Sequence, residues 1–127
     1  MTMNLSPAIV IHVVSHYLES QSSPEAEKYV FAYTITLSNH GSVAARLLRR
    51  HWVITDGNGE VQEVRGDGVV GEQPRLAPGE EYRYVSAAMI PTPVGTMEGE
   101  YAMITDGGES FLAEIPRFRL AVPGILH

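Results

Sequence analysis

Gly66-x-Gly68-x-x-Gly71 has the spacing that brings backbone amides up to a pyrophosphate, provided a strand precedes it and a helix N-terminus follows. A strand-like run does precede Gly66. Pro74 and then Pro78-Gly79 leave no room for the helix, and no parallel sheet is expected to bring an acidic residue to a ribose. These grounds exclude a Rossmann-type dinucleotide site. A smaller claim survives, because successive amides of a glycine loop make an anion nest without any helix. Arg65 and Arg75 flank the loop with guanidinium groups suited to charge-assisted hydrogen bonds to a phosphate-containing small molecule. Against it stands a loop that needs glycine only for turn and packing geometry.

The nitrogen ligands are His12, His16, His40, His51 and His127. His12 and His16 share one face of a predicted strand but lie roughly 13 Å apart at about 3.3 Å per residue. One ion bonded at about 2 Å cannot bridge them. Glu60, Glu63 and Asp67 spread through a hairpin without ligand-like spacing, so no metal site is expected. Arg49-Arg50-His51-Trp52 is the third group. In a strand, Arg50 and Trp52 share one face while Arg49 and His51 share the other. With Trp52 in the core, Arg50 points inward at a sheet end or lays its stem along apolar surface. Its charge then needs a partner, which acidic residues of neighbouring strands would supply. Arg49, Arg50 and His51 are the candidate recognition residues. Neither Ser86 nor Ser110 sits in a nucleophile elbow, and no catalytic residue or cofactor is expected.

The elements that must carry these residues are strands. Tyr29, Phe31, Tyr33, Ile35 and Leu37 alternate with Val30, Ala32, Thr34, Thr36 and Ser38, the period of a half-buried strand. Similar runs fall near Ile9–Leu18, Ala45–Asp56, Val61–Arg65, Glu80–Ala87, Met97–Thr105 and Ser110–Ile115, with a last one at Phe118–Val122 beyond Pro116. Asp56-Gly57-Asn58-Gly59 and Asp106-Gly107-Gly108-Glu109 read as hairpin turns. Ser23-Pro24-Glu25-Ala26-Glu27 opens one short helical turn, with Ser23 as cap. The pattern predicts an all-β chain: an immunoglobulin- or fibronectin-III-like two-sheet antiparallel sandwich of about seven strands, spanning residues 1–127 as one domain. Trp52 mid-strand and Tyr101-Ala102-Met103 late in the chain suit that class, which by itself carries no function.

Composition narrows the partners. The 127 residues carry a net charge of −6, which repels phosphate backbones, so nucleic acid is not expected. The absence of cysteine removes thiolate metal sites and thiol catalysis. No apolar run reaches the roughly 20 residues of a membrane span. Met1 to Pro7 lacks the features of a signal peptide, and the cytoplasm is the expected compartment.

The run Leu47-Leu48-Arg49-Arg50-His51-Trp52-Val53-Ile54-Thr55-Asp56, Gly59, and Val64-Arg65-Gly66-Asp67-Gly68-Val69-Val70-Gly71-Glu72-Gln73-Pro74 resembles the ApaG family. Pro78-Gly79-Glu80, Tyr84-Val85-Ser86, Met97-Glu98-Gly99-Glu100-Tyr101 and Phe118 extend the likeness from about Val30 to the C-terminus. The resemblance implies a β-sandwich with no established enzymatic activity. It also implies a link to cobalt resistance and magnesium efflux, and, from similar domains appended to eukaryotic F-box proteins, a role in protein interaction. The first functional reading is a non-enzymatic interaction module with a protein partner, self-association as a homodimer being its variant. A small-anion binder of pyrophosphate or nucleotide through Gly66, Gly68 and Gly71 is the alternative. A divalent-cation protein follows, and an enzyme comes last.

Overall fold

The computed structural model describes residues 8–124. Its strands are β1 (Ile9–Tyr17), β2 (Tyr29–Asn39), β3 (Ala45–Asp56), β4 (Val61–Asp67), β5 (Arg75–Leu76), β6 (Glu81–Ile90), β7 (Val94–Thr105) and β8 (Ser110–Ala121). One sheet runs β1-β2-β6. The other runs β4-β3-β7-β8, with the short β5 paired to the start of β3. Every pairing is antiparallel, so the all-β, two-sheet antiparallel sandwich predicted above is the fold.

The period-two alternation has its cause in the core between the sheets. Phe31, Ile35 and Leu37 of β2 face Leu47, Trp52, Met97, Tyr101 and Leu120 of the larger sheet, all buried. Trp52 is central to that core. Its ring meets Tyr33 of the opposite sheet edge-on at 5.4 Å, and Phe118 and Tyr101 at 6.0 and 6.5 Å. The β3–β4 turn is built as its residues require: Asp56 Oδ1 accepts from the amides of Asn58 and Glu60 at 2.8 and 3.1 Å, and Gly59 takes φ 84°.

Several details differ from the sequence reading: β4 runs on to Asp67, β6 runs on to Ile90, and β5 is unexpected. β8 continues through Pro116 instead of ending before it. The β7–β8 register shifts there, Gly99 facing Ile115 and Met97 facing Phe118, so the missing proline N–H falls in a bulge on an outer strand. β7 begins at Val94, earlier than expected, because Thr92 Oγ1 donates to the Val94 carbonyl and accepts from Gly57 N, both at 2.7 Å. The turn at Pro24–Ala26 forms with Pro24 in first place, but the Ser23 side chain makes no capping hydrogen bond. Among the described residues no helix is long and apolar enough to cross a membrane.

Candidate binding site

With Trp52 and Ile54 turned into the core, Arg49, His51 and Val53 of β3 must lie on the outer face of the larger sheet. Register then supplies their neighbours. Arg49 stands between Asp67 of β4 and Ala102 of β7; His51 stands between Arg65 and Glu100. One strand further, Ala102 faces Leu112 and Glu100 faces Glu114. These side chains border an open groove of about 420 Å³ over Arg49, Arg65, Ala102 and Leu112. A second hollow continues the groove along Glu98, Glu114 and Arg117. Leu112, an apolar floor, is 63% exposed among the described residues. Close approach of β3 and β7 beneath the groove depends on Gly99, where a Cβ would lie 2.0 Å from the His51 carbonyl oxygen.

The charges are unevenly matched. Arg49 makes no hydrogen bond or ion pair among the described residues. Among the described residues Arg65 reaches only Glu63, at 3.5 Å. Glu100 and Glu114 stand directly opposite each other on neighbouring strands, an arrangement of like charges that opposes pairing. Between the two ends sits His51, with Nε2 2.8 Å from Glu63 Oε1 and Nδ1 3.5 Å from Glu100 Oε1. The hydrogen bond from His51, helped by the Arg65 charge, holds the Glu63 carboxyl below its ordinary range. At the far end Arg117 Nε donates to Glu98 at 2.6 Å.

Arg50 turns away from the groove, as its place beside Trp52 requires. Its partners are not the acidic side chains expected from the sequence. Nη1 donates to the carbonyls of Asp67 and Gly68 at 2.9 and 3.0 Å. Backbone carbonyls at the end of β4 satisfy a guanidinium without bringing a second charge into the sandwich.

That contact accounts for the first glycine of the motif. Gly66 lies within β4 opposite Arg50, and a Cβ there would sit 2.7 Å from the Arg50 guanidinium. Gly68 takes φ 61°, and its Cβ would stand 2.3 Å from the Glu72 carbonyl oxygen. Gly71 takes φ 79° with open space around it. Val69 and Glu72 exchange backbone hydrogen bonds across a tight turn, and Gly68 N donates to Leu48 O. Val70 at the tip is left-handed at φ 48° and 63% exposed, a strained place for a β-branched residue. Arg75 does not close over this loop. It makes a paired contact with Asp106 at 3.0 and 2.5 Å, which keeps the Asp106 carboxyl low and raises the Arg75 guanidinium. Of the two flanking arginines, only Arg65 lines the groove with Gly66.

The histidines are not gathered. His12 and His16 lie exposed on β1 in the smaller sheet, His40 follows β2, and His51 belongs to the other sheet; His127 lies outside the described residues. Two carboxylates flank His51, but each faces a different ring nitrogen, so the three do not converge on one point. Among the described residues no three His, Asp or Glu side chains form a group able to hold a metal ion. Ala102, Leu112 and Glu114 escaped the sequence reading. Alternation marks them as outward, and only strand order puts them beside Arg49.

Comparison with known proteins gives the lineage. The ApaG domain family matches residues 19–105. The chain is 57% identical over 122 residues to the ApaG proteins of Salmonella arizonae and Salmonella paratyphi B, covering 96% of this chain and 98% of each relative. Its fold superposes on the crystal structure of a Bordetella pertussis protein named as ApaA with a TM-score of 0.91. That pair shares 47% identity over 94% of this chain and 97% of the other. The Arg49–Trp52 strand, the Gly66–Gly71 loop and most of the groove fall within the matched stretch, and the chain belongs to the ApaG family.

Proposed function

We propose that this chain is a non-enzymatic, cytoplasmic interaction module that binds a protein segment along the groove of the larger sheet. The observation that carries this reading is charge of both signs on one face, where among the described residues Arg49 and Glu114 have no ion-pair partner and Glu100 reaches only His51, at 3.5 Å. Among the described residues Arg49 has no partner at one end, and two residues along the sheet Glu100 and Glu114 stand abreast, one and two strands over, roughly 8 and 12 Å from it by strand rise and spacing. A ligand that answers both must be dipolar. An extended peptide with an acidic residue, an apolar residue for Leu112 and a basic residue fits; a simple anion answers only half. The order β1-β2-β6 against β4-β3-β7-β8 further supports placing the sandwich in the immunoglobulin and fibronectin-III class, though the functional reading rests on the groove and not on that class. On this reading any part in cobalt or magnesium homeostasis runs through the partner.

Peptides selected by display on the wild-type chain are expected to carry both an acidic and a basic residue. Arg49→Glu is expected to weaken them about tenfold or more, the loss of roughly 1.4 kcal/mol that one rim charge pair supplies. Added salt should weaken them too. If Arg49→Glu binds the selected peptides as tightly as wild type, the groove is not the site.

A second reading has one observation in its favour. Arg49 and Arg65 border the same groove beside Gly66, so a phosphate would be held there by two guanidiniums. The loop itself is less able to serve, since the Gly68 and Val69 amides are already bonded and Arg75 is held by Asp106. Amide-resolved NMR with pyrophosphate and then a dinucleotide polyphosphate separates the two readings. Saturable shifts at residues 65–71 and Arg49 would establish anion binding. Flat spectra at millimolar ligand would end it and leave the peptide reading standing.

A further inference from the structure

We propose that two copies of this chain pair edge to edge through β6, joining their three-stranded sheets about a twofold axis at Ala87. The backbone shows which groups are available. In an antiparallel ladder each residue sends its N–H and C=O to one side. Asn39 N donates to Glu80 O at 3.0 Å, whereas His40 N donates to Ala8 O and Leu18 N to Val30 O, both at 2.8 Å. Odd-numbered residues of β2 therefore bond to β6 and even-numbered ones to β1. By register, Tyr82, Tyr84, Ser86, Ala88 and Ile90 turn their backbone groups to β2. Arg83, Val85, Ala87 and Met89 turn theirs to the open edge, where no described strand pairs with them.

Open edges invite pairing, and proteins blunt them with charge, proline, bulges or cover. The other outer strands of this chain are blunted. β4 carries Glu63, Arg65 and Asp67. β8 carries Pro116 and the register shift. β1 runs against β8, where Ser15 Oγ donates to the Arg119 carbonyl at 3.0 Å. From Tyr84 to Ile90, β6 has no charge and no proline, and its register against β2 is unbroken.

The occupant is a second copy because the edge is complementary to itself. Pairing centred on Ala87 sets the outward N–H and C=O of Ala87 against those of Ala87 of the partner subunit. Val85 then lies opposite Met89 of the partner subunit on the outer face, covering two side chains that are 57% and 56% exposed. Arg83 falls beyond the apolar centre, and Pro91 ends the ladder. For a chain of net charge −6, an uncharged strand is also where two copies repel least. An edge of seven residues is about 23 Å long. It covers less than the roughly 800 Å² per partner of a stable complex, so the dimer should be weak, with a Kd of about 10–100 µM.

Sedimentation velocity from about 5 to 500 µM should show a monomer passing into a dimer, and hydrogen exchange should slow at the Val85, Ala87 and Met89 amides as concentration rises. Ala87→Pro removes the outward N–H without touching the β2–β6 ladder and should raise Kd at least thirtyfold. Val85→Lys should do the same by setting a charge in the joint. Arg49→Glu should leave it unchanged. A wild-type chain that stays monomeric at 500 µM overturns the proposal. So does a dimer in which Ala87→Pro associates normally while Val14→Lys does not, because the contact is then sheet face on sheet face. If Ala87→Pro fails to fold, concentration-dependent protection at residues 85, 87 and 89 of the wild type decides, and its absence overturns the proposal.

Discussion

Gly68→Ala is expected to lower the unfolding free energy by about 3 kcal/mol or more, among the largest effects of any single methyl group added to this chain. The left-handed φ of 61° costs an alanine about 1–2 kcal/mol. The added Cβ also meets the Glu72 carbonyl oxygen at 2.3 Å, and that oxygen cannot step aside, because Glu72 and Val69 are tied to each other through their backbones. Gly71→Ala meets nothing within 4 Å and should show only the conformational cost, about 1 kcal/mol. Gly66→Ala displaces the Arg50 guanidinium, whose stem is flexible, and should fall between the two. Urea unfolding of the three variants checks the order. A ligand-binding motif predicts the opposite signature: three variants of near wild-type stability that share a binding defect. If Gly68→Ala unfolds at the wild-type urea midpoint, the steric account of the motif is wrong.

This glycine series marks how far the residues alone could be read. The strand preceding Gly66 and the prolines ending the loop were legible, and among the described residues no helix follows Gly71. That Gly66 lies under Arg50 was not legible, because it depends on β4 pairing with β3 at one particular register. The same limit applies to Arg50. Its inward direction followed from the spacing to Trp52, while its partners are carbonyls, which no pattern of residue types announces. Arg75 stands near the loop in sequence and in space reaches Asp106 in the β7–β8 turn.

Strand existence was read well for a physical reason. Alternation is imposed locally by a core on one face, and Tyr29–Ser38 displays it without interruption. Boundaries were read less well where one residue's rule yielded to its neighbours. Pro116 lacks the N–H a strand interior needs, yet a bulge on an outer strand needs none there. The groove illustrates the deeper limit. Arg49 and His51 were visible as outward candidates, but Leu112 and Glu114 lie more than sixty residues away and join them only through β7. Non-local pairing is information that a single sequence holds without displaying.

The buried tyrosine pair leads to a pH prediction. Tyr84 and Tyr101 lie in the core, and their hydroxyls hydrogen-bond to each other. Burial pushes both phenols well above their ordinary pKa near 10. The folded chain therefore keeps both protons at pH values where the unfolded chain gives them up. Stability is fully present below pH 10 and falls as pH rises from there towards the folded-state values, since the native state then binds more protons than the unfolded state. Each group's slope approaches about 1.4 kcal/mol per pH unit only above the unfolded pKa, so the pair removes about 2 kcal/mol between pH 10 and 11. Tyr101→Phe alone should be worse than the double variant at pH 8, by about 1 kcal/mol, because it strands the Tyr84 hydroxyl while the double change removes both groups. Tyr84→Phe/Tyr101→Phe should flatten the alkaline slope. Urea midpoints between pH 8 and 11.5 read both effects. Equal slopes in the wild type and the double variant would show that the pair does not set the alkaline limit and that its phenols ionise in the folded chain as readily as in the unfolded one.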